Sequence, residues 1–232
     1  MDWIALLAYL AGTGAVAALF YGVANRKARP VYGEDTPLQS RSLFRLAVLI
    51  SASVGVLLSV LQSFSAAGLD LLGFATVTLT AMVTFLLVVF AYTDHRHRMA
   101  DRVLLRWGIG LALVLGILRL IEMQSEPKTV LFVVAILISF AVMFVPSIGA
   151  SDARAFVLLF AVGIPTLDII YTYYAFLAGL ALWLLYGIVS AIRNRSFKVS
   201  IPLVPYILLP LAVAPVMLSL AFGVPRILEV LG

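Results

Sequence analysis

Polar positions along this chain come in short clusters, and between them the sequence stays apolar for about the thickness of a bilayer. Apolar runs occupy about 3–23, 46–64, 71–92, 103–121 and 129–145, each near the ~20 residues that a membrane-spanning helix needs. The stretch from 155 to 191 is too long for one such helix. Gly163, Pro165 and Asp168 punctuate it, so the pattern predicts a short helix and then a second near 169–191. A last run, about 201–222, carries Pro202, Pro205, Pro210 and Pro215. Proline is tolerated in membrane helices where neighbours or water satisfy the freed carbonyls. The pattern therefore predicts an all-α polytopic membrane protein of about eight transmembrane helices.

The longest polar stretch, residues 25–45 (NRKARPVYGEDTPLQSRSLFR), contains Pro30, Gly33 and Pro37, which argue against a continuous helix. It reads as a short loop, too small for a folded domain, so that residues 1–232 form a single transmembrane unit. The first apolar run has Asp2 before it and Arg26, Lys27 and Arg29 after it. A secretory signal peptide has the opposite charge order and a shorter apolar core. A retained helix with its N-terminus outside is expected.

Composition agrees with the pattern. The chain is 63% hydrophobic and 12% charged, against about 45–50% and about 25% in soluble domains. Its net charge of +5 would raise nucleic acid as a partner of a soluble protein. Here the charge lies in the loops, where cytoplasmic segments of membrane proteins collect Lys and Arg. With the N-terminus outside, the inner loops are 25–45, 93–106, 146–154 and 193–200. They take all 16 basic residues except Arg119, Lys128 and Arg226. That distribution fixes the expected orientation and gives the inner face contacts with anionic lipid. The chain has no cysteine, which excludes disulfides, iron–sulfur clusters, thiolate zinc sites and cysteine nucleophiles.

The same topology sorts the acids. Asp2, Asp70, Glu122, Glu126, Asp168 and Glu229 fall at the outer surface, and Glu34 and Asp35 in the first inner loop. Asp94, Asp101 and Asp152 remain, all at cytoplasmic ends of spans. A carboxylate inside the membrane costs about 2.5–3.5 kcal/mol on insertion scales, so one that persists points to function. Two from separate segments at one depth would share a proton, one acting as general base on a water while the other, protonated, polarises a carbonyl. Structural roles compete with this reading. Ser151 or Asp152 fits an N-cap before Ala153-Arg-Ala-Phe156, and Asp94 fits an interfacial ion pair with Arg96 or Arg98. His95 and His97, the only histidines, read as a solvated basic turn; no HExxH, P-loop or GxGxxG is present. Tyr171, Tyr173 and Tyr174 read as an interfacial belt.

Gly149-Ala-Ser-Asp-Ala-Arg154 resembles the GxGD-x-K motif of the type IV prepilin peptidases, membrane-embedded aspartyl proteases. Asp94-His-Arg-His-Arg-Met-Ala-Asp101 resembles the stretch that family opens with its first catalytic Asp and closes with I-P-N or L-P-D. The match needs a one-residue gap. Pro202-Leu-Val-Pro205 is similar to the P-F-G-P signature of the last span. The motifs come in the family's order and on its cytoplasmic side, over about residues 71–222. Ser151 stands where the motif has its second glycine, Ala100 where it has proline, and Leu203-Val204 where it has Phe-Gly.

The resemblance implies Asp94 and Asp152 as the catalytic pair and Gly149, Ala150, Ser151 and Arg154 as the active-site loop. Arg98, Asp101, Pro202 and Pro205 would support them. It implies an endopeptidase that removes the short basic leader of pilin-like or archaellin-like precursors. The site would face the cytoplasm in the plasma membrane of a prokaryote. Longer members carry a cytoplasmic methyltransferase domain with paired CxxC motifs after the first span. Here about twenty cysteine-free residues occupy that place, which implies peptidase activity with no metal, no cofactor and no methylation. Two alternatives stay open: a small proton-coupled transporter or channel, and an inactive peptidase relative acting in pilus assembly, to which Ser151 points.

Overall fold

The computed structural model describes residues 3–28, 41–63, 70–97, 101–123, 126–142, 154–155, 157–162 and 169–195. Regular structure among them is entirely helical: α1 (Trp3–Lys27), α2 (Arg41–Ser63), α3 (Leu71–His97), α4 (Arg102–Met123), α5 (Glu126–Val142) and α6 (Ile169–Asn194). Residues 157–162 are also helical. Helices α1 to α4 and α6 are long and apolar enough to cross a membrane, and α5 carries a shorter apolar stretch, Thr129–Ile138. The described fold is all-helical, with helices of the length and apolarity of a membrane protein. The proline-bearing run 201–222 lies outside the described residues, as does the expected break at 163–168.

Several helices run past the apolar stretches from which they were expected. α1 ends on Arg26 and Lys27, α6 ends near Arg193, and α3 continues through Asp94 to His97. The likewise extended α2 starts at Arg41 inside the polar 25–45 stretch. Hydropathy marks only the part of a helix in hydrocarbon, whereas backbone hydrogen bonding continues into the headgroup layer. Basic side chains in a last turn also favour continuation, because they complement the carbonyl end of the helix dipole.

α3 is the central helix. It packs against α1, α2 and α4, most extensively against α2. Its apolar stretch is 83% buried, whereas that of α6 is 6% buried. The reason is a set of small residues on the facing helix. Ala47, Ser51, Gly55 and Ser59 recur every fourth residue of α2 and are all buried. A Cβ on Gly55 would lie 3.5 Å from the Ala81 methyl of α3. Such small-residue stripes let membrane helices approach closely and gain dispersion contacts, the main attraction where lipid is as apolar as the core. The hydroxyls at this packed surface bond back to their own helices. Thr76 donates to the Leu72 carbonyl, Thr80 to that of Thr76 and Ser59 to that of Gly55, so none is left costly in a medium without water.

On the far side of α3, Gly108 of α4 meets the Phe90 ring, which a Cβ there would approach to 2.9 Å. Higher on α4, Gly116 receives both the Phe132 ring of α5 and the Ala161 carbonyl. Residues 157–162 are thereby held inside the bundle, with Leu158 and Leu159 fully buried.

Candidate functional site

Asp94 and Asp101 stand at one end of the α3–α4 pair, Asp94 in the last turns of α3 and Asp101 immediately before α4. Both are 5% exposed. Their backgrounds differ. Asp101 is an N-cap: its Oδ1 accepts hydrogen bonds from the Val103 and Leu104 amides at 2.8 and 3.0 Å, and its carbonyl accepts from Leu105 N at 2.9 Å. These are amides that a helix start otherwise leaves unsatisfied, and the positive end of the α4 dipole adds to the attraction. Its carboxylate is therefore explained by structure.

Asp94 occupies the opposite electrostatic position. The last turn of a helix carries the negative end of the dipole, so an acid there opposes the field that Arg26 and Lys27 complement in α1. The Asp94 side chain is also buried at the end of the most buried helix. Helix capping asks for no acid at this place, and desolvation penalises one. Its neighbours hold the turn in shape. Thr93, fully buried, donates from Oγ1 to the Val89 carbonyl at 2.9 Å. Arg96 Nη1 donates to the Tyr92 hydroxyl at 2.9 Å. The exposed His95 ring meets Tyr186 of α6 edge-on at 6.0 Å, which ties α6 to the same end of α3.

Arg154 is half-buried and Ala155 is 1% exposed, within the continuous buried cluster that includes Phe90 of α3 and Leu104 of α4. Of the other residues singled out in the sequence, Arg98, Gly149, Ala150, Ser151, Asp152, Pro202 and Pro205 lie outside the described residues. Among the described residues, no three His, Cys, Asp or Glu side chains come together as a metal-ligand set. Tyr173 and Tyr174 are exposed near the start of α6, with rings 6.2 Å apart.

No protein-family model, curated protein or solved structure matches this chain.

The Asp101 cap has a signal in the sequence, an acid directly before the apolar run of α4, although the resemblance gives that residue a place in a motif triplet. The hydrogen bond between the Tyr21 hydroxyl and Ser51 Oγ, buried between α1 and α2, depends on which faces of two uniformly apolar helices meet.

Proposed function

We propose that this protein is a membrane-embedded aspartyl endopeptidase that removes short basic leaders from pilin-like precursors at the cytoplasmic face. Asp94 and Asp152 are its catalytic carboxylates. The observation that carries the reading is Asp94: a carboxylate buried at the C-terminal end of the central helix, against the direction of the helix dipole. Asp101, the rival partner, is engaged as a cap. The sequence around Asp152 supports the second half of the pair. No more than about 7 Å of chain separates Asp152 from Arg154, and the neighbouring Ala155 is buried in the bundle, in a continuous cluster that also includes Phe90 of α3 and Leu104 of α4.

In this reading one carboxylate takes a proton from water as its oxygen attacks the scissile carbonyl carbon. The other, protonated, donates a hydrogen bond to the carbonyl oxygen. Collapse of the tetrahedral intermediate breaks the C–N bond, and the proton passes to the leaving amine. The substrate must be unwound at the cut, since a helix engages its carbonyls in its own hydrogen bonds. Pro202 and Pro205 would leave carbonyls free to pair with such an extended segment. The topology that goes with this reading has eight spans, an outer N-terminus and all three motifs at the inner face.

Incubating purified protein with a leader-bearing pilin precursor tests the reading. Shortening of the precursor by its leader is expected. An intact precursor together with proton flux in liposomes would identify a transporter instead, and neither activity would identify an assembly subunit.

A further inference from the structure

A cavity of about 210 Å³ lies between α1 and α2, with α3 behind it. Leu10, Ala17, Val48 and Ala81 form its walls. Its polar groups are turned to one another. The Tyr21 hydroxyl is hydrogen-bonded to Ser51 Oγ, Ser51 Oγ also reaches the Val48 carbonyl at 3.1 Å, and Thr13 pairs with Thr78 at 3.5 Å. A buried water needs two to four polar partners, and an apolar cavity of about 150 Å³ in another protein stays dry and takes up benzene. This one calls for hydrocarbon.

The mouth says where the hydrocarbon comes from. Gly14, Ala18, Ala52 and Val56 line the opening and are exposed. All four lie inside the stretches of α1 and α2 that are apolar and long enough to cross the membrane. Among the described residues none closes the opening, and at this level of a membrane the medium is lipid chain. A second protein helix, about 10 Å across, is too wide for this volume, whereas a chain one methylene wide enters it. We infer that the α1–α2 crevice binds one acyl chain of a bilayer phospholipid. The chain lies beside Tyr21, whose ring stacks on Phe85 of α3 at 4.4 Å, and so fills the space next to the central helix.

The test reconstitutes the full chain into vesicles of phosphatidylethanolamine and phosphatidylglycerol. These contain a phospholipid with a photoactivatable diazirine midway along one acyl chain, and adducts are mapped by mass spectrometry. Adducts should concentrate on crevice residues of α1 and α2 above the level on the exposed face of α6. Gly14→Leu should abolish that excess, because a Cβ there meets nothing within 4 Å and leaves room for the rest of the side chain to plug the crevice. Gly22→Leu, equally unobstructed on the same helix but outside the crevice, should leave it unchanged. Uniform labelling of α1, α2 and α6 in the wild-type protein would overturn the inference, as would undiminished labelling in a folded Gly14→Leu protein. The wild-type map decides alone should the plug prevent folding. An unlabelled crevice means that water or a protein side chain occupies it, and also overturns the inference.

Discussion

Replacing Gly116 with alanine adds one methyl group where α4, α5 and residues 157–162 converge. The new Cβ would lie 2.7 Å from Cε2 and Cζ of Phe132 and 3.0 Å from the Ala161 carbonyl oxygen. Both neighbours are buried, Phe132 at 6% exposure and Ala161 at 0%, so the ring can yield only by displacing its own surroundings. Overpacking of this kind costs about 1–3 kcal/mol. Alanine recovers about 0.5–1 kcal/mol of helix propensity over glycine, leaving a net loss of about 0–2.5 kcal/mol. Gly110, six residues earlier on α4, is the matched control. A Cβ there meets nothing within 4 Å, so Gly110→Ala should gain the propensity term alone, about 0.5–1 kcal/mol. Unfolding of the two purified variants in one detergent, followed by circular dichroism, should show Gly116→Ala unfolding before Gly110→Ala. Phe132→Leu, which removes the crowding ring edge, should then narrow the gap, with a measurable coupling between the two substitutions. Equal stability of Gly116→Ala and Gly110→Ala would refute the reasoning. It would mean that residues 157–162 do not press on α4, and it would remove the anchor that holds the chain after Asp152 in the bundle.

Other outcomes follow from the same contacts. Asp101→Ala should cost about 1 kcal/mol of stability through loss of the cap, whereas Asp101→Asn should be nearly neutral because an amide oxygen also caps; unfolding midpoints check this. Tyr21→Phe keeps the stacking on Phe85 but loses the bond to Ser51, and should cost about 0.6 kcal/mol, the average for hydrogen bonds between membrane helices. Because the chain has no cysteine, a double Asp94→Cys, Asp152→Cys variant gives a clean proximity test. Mild oxidation should consume both thiols within one chain, which requires Cα atoms within about 7 Å. Asp70→Cys with Asp152→Cys should not react, since α3 holds position 70 roughly 36 Å from position 94; free thiols after oxidation of the first pair would separate the two carboxylates.

Hydropathy was enough to find the five described helices that are long and apolar enough to cross a membrane, because the requirement it reads, about 20 apolar residues per crossing, acts on each segment alone. The helix α3 shows where that stops. In a soluble protein a helix that is apolar all round is recognised as buried. In a membrane the lipid-facing and core-facing sides are equally apolar, so nothing in Leu71–His97 announced that it is central while Ile169–Asn194 lies at the rim. The Ala47–Ser51–Gly55–Ser59 stripe did carry that information, in residue size instead of polarity. At the candidate site Asp94 and Asp101 were legible as expensive residues at the ends of spans. Their separation into roles was not. Asp101 and Asp94 are equally buried, and only the direction of the helix each belongs to makes one a cap and leaves the other unexplained by helix structure.

The central claim is that Asp94 and Asp152 together cut a leader peptide. Its most direct test is a gel-shift assay of purified wild-type, Asp94→Asn and Asp152→Asn proteins against a leader-bearing pilin precursor, with insertion and folding of each verified. The account predicts complete shortening by the wild type and none by either variant. Cleavage at the wild-type rate by either variant would contradict it.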